Sequence, residues 1–193
     1  MSRKKTLEEA LPLPIIAGRD CDGCTACCSF PPIRTIELQK PANTLCHHCI
    51  KGQGCGVYDV RPTVCRGFFC GYFFLPELSE EWHPKNSGVV IRSEHFDEDV
   101  ITILILELNA FLVSEEFAGM VGAWVQSGIG VEFERVGPPG HLPAKMRVNE
   151  ILEEAVASRD LREMQKMFAW CLAHIDKSHT WEKDETEFRS GLA

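Results

Sequence analysis

Four cysteines fall within eight residues in CDGCTACC, at Cys21, Cys24, Cys27 and Cys28. Five more follow at Cys46, Cys49, Cys55, Cys65 and Cys70, so nine thiols lie within fifty residues. No other feature restricts the chain as strongly, because thiols this crowded form disulfides, bind metal or carry out redox chemistry. Compartment decides among these. The segment MSRKKTLEEALPLPIIAGRD starts basic, but glutamates and prolines interrupt what would be the apolar stretch of a secretory signal. The apolar run VITILILEL at 100–108 is far shorter than the eighteen or so residues of a membrane span. A cytoplasmic location is expected, and reducing conditions there favour metal over disulfides.

With 193 residues, 45% hydrophobic and 25% charged, the chain has the composition of a soluble globular protein with a core of its own. Its charge is uneven: residues 1–70 carry a formal +3 and the remainder −11. A small positive excess around the thiols offsets thiolate charge. It is too small for a nucleic-acid surface, which needs a marked basic patch. The expected partner is metal, with no nucleic acid and no membrane; a protein partner is left open.

Four segments follow from the patterning. Residues 1–16 form a lead-in with one helical turn at TLEEAL, and 17–85 are a Cys-, Gly- and Pro-rich module of loops and short turns. Residues 86–176 are an α+β segment, and 177–193 are a charged tail predicted to fray. Within the third, GVVIRSEHF and DVITILILEL read as two antiparallel strands, and GVEFERVG as a third. SEEFAGMVGAWVQSG reads as a helix capped by Ser114 and ended at Gly128. Two more helices follow in NEILEEAVAS and, after Asp160 as cap, LREMQKMFAWCLAHI. On the last, Met164, Met167, Phe168, Cys171 and Ile175 share a face, so the tenth cysteine is read as a core residue. The fold class is α+β: a loop-rich, metal-bound cysteine module followed by a small antiparallel sheet with helices.

Two metal templates fit the cluster. Cys21, Cys24 and Cys27 have the C-x2-C-x2-C spacing that wraps three corners of a 4Fe–4S cluster, with a fourth ligand drawn from Cys46, Cys65 or Cys70. Cys21/Cys24 and Cys46/Cys49 are also two C-x2-C knuckles, the pairing of a four-cysteine zinc site. A single site leaves five thiols over, and two centres explain the count better. Neighbours on a backbone project in different directions, so Cys27 and Cys28 are free to serve different centres. His47 and His48 flank Cys46 and could replace a thiolate; each reads more simply as a surface histidine, as does His83. In GCGVYDVRPTVCRGFFC, Pro62 suits a helix start and puts Cys65 and Arg66 one turn on. Arg61 and Arg66 can donate to thiolate sulfur, and Tyr58, Phe68, Phe69, Tyr72, Phe73 and Phe74 can form a dry shell.

CDGCTACC, CHHC and GCGVYDVRPTVCRGFFC together resemble the CxxCxxCC family of cysteine-cluster proteins, YkgJ-like and described as zinc- or iron-chelating. The resemblance covers about residues 21–75, through Cys21, Cys24, Cys27, Cys28, Cys55, Tyr58, Arg61, Pro62, Cys65 and Arg66; Cys49 and Cys70 are additional to its barest form. It implies an iron–sulfur cluster or zinc on clustered thiolates, and either an iron–sulfur oxidoreductase or a non-enzymatic structural or metal-handling module. Related patterns occur in flagellin lysine N-methylases, which use S-adenosylmethionine. A doubly wound methyltransferase needs a Gly-rich turn between a strand and a helix, and SGIGVEF has its glycines before a strand, so methyl transfer by this chain alone is discounted.

Cys171 supplies the first prediction. Replacing it with Ala leaves metal content unchanged and costs at most about 1–2 kcal/mol in denaturant unfolding; metal lost with this thiol would mean that the ligands lie elsewhere.

Overall fold

A computed structural model describes residues 15–21, 23–92, 100–178 and 181–184. The expected turn at TLEEAL lies outside them. The loop-rich segment runs through helix α1 (Ala26–Ser29), hairpin β1 (Ile33–Arg34)/β2 (Gln39–Lys40), hairpin β3 (Cys49–Ile50)/β4 (Gly54–Cys55), helix α2 (Thr63–Arg66) and helix α3 (Pro84–Ser87). There follow strands β5 (Val89–Arg92) and β6 (Val100–Ile105), helix α4 (Glu115–Gln126), strands β7 (Gly130–Arg135) and β8 (Ala144–Arg147), and helices α5 (Asn149–Ser158) and α6 (Leu161–Ser178). Among the described residues no helix is long and apolar enough to cross a membrane.

The fold is α+β, as expected, but its four-stranded sheet, in the order β5-β6-β7-β8, is mixed rather than antiparallel. β5 and β6 pair antiparallel with Ile91 opposite Ile103, whereas β6 and β7 run parallel with Ile103 opposite Phe133. The reason is α4: a helical crossover carries the chain back to the end of the sheet at which β6 began, so the next strand runs parallel to β6. Ser114 caps that helix, its Oγ accepting from Phe117 N at 3.1 Å, with Glu115 and Glu116 favourably placed in the first turn. The glycines of SGIGVEF follow α4 and lead into β7. The edge strand β8 gave no signal in the sequence; it is four residues long, and Lys145 and Arg147 make it too polar for a strand pattern, which is how an exposed edge is protected.

Alternation along the strands splits the sheet into two buried faces. Ile91, Ile103, Ile105, Val131 and Phe133 face the helices, packing with Phe117 and Trp124 of α4 and Phe168 of α6. Met164, Phe168, Cys171 and Ile175 are buried along α6 as read, Cys171 completely and Met167 partly. On the other face Val90 and Leu104, opposite each other in register, pack against Ala26 and Phe30. The cysteine-rich segment is therefore a third layer.

The buried core also runs across residue 85. Tyr72, Phe73, Phe74, Leu78 and Trp82 pack with the strands and helices rather than around the thiols. The chain reaches them past the β5 edge at Gly71, where a Cβ would lie 2.6 Å from Ile91 Cγ2. Residues 15–20 are tied to the same stretch: Ile16 N donates to Phe73 O, and the Arg19 guanidinium lies over the Tyr72 ring while donating to the carbonyls of Tyr72, Leu75 and Leu78. The tail was expected to fray from 177, yet 181–184 are docked. Leu142 N donates to Glu182 O and Asp184 N to Gly140 O, both at 2.8 Å. The Asp184 carboxylate, 1% exposed, pairs with Arg34 and accepts from Ala42 N.

Two glycines test this packing in opposite directions. Gly71→Ala should cost about 1–3 kcal/mol through overpacking against Ile91. Gly119→Ala, exposed within α4 and with open space around the new methyl, should add about 0.5–1 kcal/mol. Denaturant midpoints at constant slope give both values, and a neutral Gly71→Ala would contradict the close approach.

Candidate metal centre

The thiols are brought together by short, tightly bonded turns. Cys24 N donates back to Cys21 O, closing the first turn. Gly23 and Gly54 meet backbone to backbone, both with positive φ, and a Cβ on Gly54 would stand 3.3 Å from Gly23 Cα; the close approach lays the β3–β4 hairpin against the first turn. Cys49 N donates to Cys46 O in CHHC, and Cys49 pairs in register with Cys55 across β3 and β4. Cys46 N donates to Cys28 O at 2.9 Å, joining the second turn to α1. Pro62 is the cap residue of α2 rather than its first helical residue, and the start of that helix is satisfied by Glu37, which accepts from Thr63 N and Thr63 Oγ1. Cys65 is thereby held facing the same space as Cys55.

That space is a cavity of about 360 Å³. Cys21, Cys24, Cys27, Cys28, Cys46, Cys55 and Cys65 line it, together with Tyr58, Arg61, Phe68 and apolar side chains such as Ile33 and Leu38. Cys49 packs just behind this wall, against the Cys28 and Cys46 group. Cys70 is also off the wall, between the two sheet-side cores. All ten cysteines are free. Among the described residues, no set of three or more His, Cys, Asp or Glu side chains is gathered closely enough to hold a metal ion as the side chains stand.

The other sequence candidates divide. The Arg61 guanidinium stacks 3.7 Å above the Tyr58 ring, and its buried Nε has no hydrogen-bond partner. Arg66 is exposed, does not line the cavity, and reaches Thr63 Oγ1 at 3.4 Å. His48 lines the cavity, whereas His47 is exposed and rests its ring against that of His48. His83 is buried against Asp20 O, and its Nδ1 accepts from Lys85 N. Of the six aromatics expected as a shell, Tyr58 and Phe68 line the cavity; Tyr72, Phe73 and Phe74 belong to the helix-side core, with Phe69 packed beside them. The aromatic run follows the β5 edge instead, because the sheet offers it more apolar surface than the loops do.

One residue escaped the sequence reading. Lys40 is 3% exposed, and its ammonium donates to Ser29 O and Thr44 O at 2.8 Å and to Pro41 O at 3.2 Å. Three carbonyls thus brace the stretch between Cys28 and Cys46. Burial pulls the Lys40 pKa down to about 8, against the opposing pull of Cys46, Cys28 and Cys27. A lysine beside a proline in LQKP reads as an ordinary solvated residue, so only the fold reveals it.

The thiols are electrostatically unequal. Burial pushes Cys24 up to about 11 and Cys70 up to about 12. Cys27 is shifted the other way, because Cys28 donates its S–H to it and Arg61 and Lys40 face it. Cys21 lies 3.7 Å from the Tyr58 hydroxyl, and burial raises its pKa. Cys27 is therefore more inclined to ionise in the absence of metal than Cys24 or Cys70.

No protein-family model matches the chain, and no curated protein or solved structure matches it.

In reduced, metal-free protein near pH 7, limiting iodoacetamide should modify Cys27 before Cys24 or Cys70, because the thiolate is the reacting form. Peptide mass spectrometry reads the order, and a first label on Cys70 would contradict it.

Proposed function

We propose that residues 21–70 bind an iron–sulfur cluster or zinc through cysteine thiolates, and that the sheet and helices serve as the scaffold of this centre. The observation that carries the reading is the seven free thiols on the wall of one small, largely apolar cavity. A wall with that many soft donors suits Zn²⁺ or iron–sulfur and has little use as apolar packing alone. Arg61 adds to it. A buried Nε without an acceptor costs free energy, and a thiolate sulfur would supply that acceptor. Lys40 contributes a fixed positive charge behind Cys28 and Cys46, lowering the cost of gathering thiolates there. Arg66 has no part in this reading.

A bound iron–sulfur cluster would supply one-electron chemistry, whereas zinc held by four thiolates would supply structure alone. The apolar wall and the partly buried positions of Cys24 and Cys70 favour the first, since exclusion of water is one means by which a protein sets a cluster potential. The tight CHHC turn, with Cys49 N bonded to Cys46 O, favours zinc for that part of the cluster.

Protein purified without oxygen and in reductant should contain iron with sulfide, or zinc, and Cys24→Ala or Cys65→Ala should lower that content sharply. Chelation should release amide-exchange protection in 21–70 while β6, β7 and α6 keep theirs. Metal-free protein with full protection throughout 21–70 would overturn the proposal.

A further inference from the structure

We infer that the nine clustered thiols form two separate soft-metal sites: an inner one of Cys21, Cys24, Cys27 and Cys70 against the sheet, and an outer one drawn from Cys28, Cys46, Cys49, Cys55 and Cys65. This rests on the thiolate reading above and goes beyond it by assigning each thiol to a site.

Packing makes the first division. Cys24 and Cys70 belong to the apolar group of Ala26, Phe30, Val90 and Leu104, while Cys21 and Cys70 abut the helix-side core. Cys28 and Cys46 are buried in a different group with Ile33 and Leu38, on which Cys27, Cys49, Cys55 and Cys65 pack. No cysteine of the inner group apart from Cys27 touches that second group.

The facing charges divide in the same place. The thiols that act most strongly on Cys70 are Cys24, Cys21 and Cys27, and those on Cys24 are Cys27 and Cys21. Cys49 instead faces Cys28, Cys46, Cys55 and Cys27, and Cys65 faces Cys27, Cys46 and Cys55. Cys27 appears on both sides, as expected of a residue at the boundary. Adjacent residues on a helix point about 100° apart, so α1 can direct Cys27 to one site and Cys28 to the other. Among the cations, Lys85 faces Cys24 of the inner set, Lys40 faces Cys46 and Cys28 of the outer set along with Cys27, and Arg61 faces thiols of both. Four donors fill a tetrahedral thiolate site, so the inner set is complete and the outer set has one thiol to spare.

Cobalt(II) titration of the reduced, metal-free full chain tests this, because thiolate coordination gives intense absorption and the end point gives the stoichiometry. Two equivalents are expected for the natural chain. Cys70→Ala should lose one equivalent and keep the other, and Cys49→Ala should weaken the outer site and spare the inner. Alkylation at one equivalent provides a readout without variants: the protected thiols should come from one set, with Cys27 among them only when that set is the inner one. Saturation at one equivalent, or protection spread over both sets from the first addition, overturns the division while leaving thiolate binding intact. No cobalt bound at all overturns the thiolate reading itself.

Discussion

Everything in the thiol-bearing layer depends on a narrow apolar contact: Ala26 and Phe30 set against Val90 and Leu104. The sheet has two faces to cover. Three helices cover one with a large aromatic core; the other is left to a segment that has almost no periodic apolar sequence. Short turns closed by backbone hydrogen bonds could not hold such a segment together by themselves, since each such bond adds only about 1 kcal/mol net. Seated on β5 and β6, the same segment gains a rigid floor, and Cys24 and Cys70 are packed, partly buried, against that floor.

Charge is then arranged over this floor at some cost. Lys40 is removed from water beneath the outer thiols, and its pKa falls accordingly, so the buried ammonium is tolerated only because three carbonyls surround it and thiols face it. Glu134 is buried to a similar degree on the same sheet, paired with Arg92, whose guanidinium lies over the Phe30 ring. The sheet is therefore apolar at Val90 and Leu104 and ionic toward β8, where Lys145 also approaches Glu134 at 3.8 Å. Arg92 links the two layers, pairing with Glu134 within the sheet while its guanidinium lies over Phe30 of the cysteine layer.

Much of the second half was legible in the sequence. The cap at Ser114, the spacing along α6 and the β-branched runs at β5 and β6 each carry a strong local signal, and the fold agrees with all of them. What escaped was decided by tertiary contacts. Strand β8 exists because β7 offers it an edge, and the parallel β6–β7 pair exists because α4 lies between them. Tyr72, Phe73 and Phe74 stand next to the cysteines in sequence but are drawn to the larger apolar surface across the β5 edge. At the site, cysteine spacing picked out thiols that the fold gathers around one cavity, but neither the burial of Lys40 nor the exposure of Arg66 can be read from spacing. Both depend on which way a short loop turns.

The clasp at Asp184 bears on how the molecule is made. A ribosome delivers Cys21 to Cys70 first, then the strands on which those residues rest, and only much later the carboxylate that secures Arg34 and Ala42. Until the strands emerge, the thiols belong to a nascent chain with no floor beneath them. Order along the chain is thereby order in time: the thiols emerge before the strands that seat them, and the Asp184 clasp on Arg34 and Ala42 emerges after both.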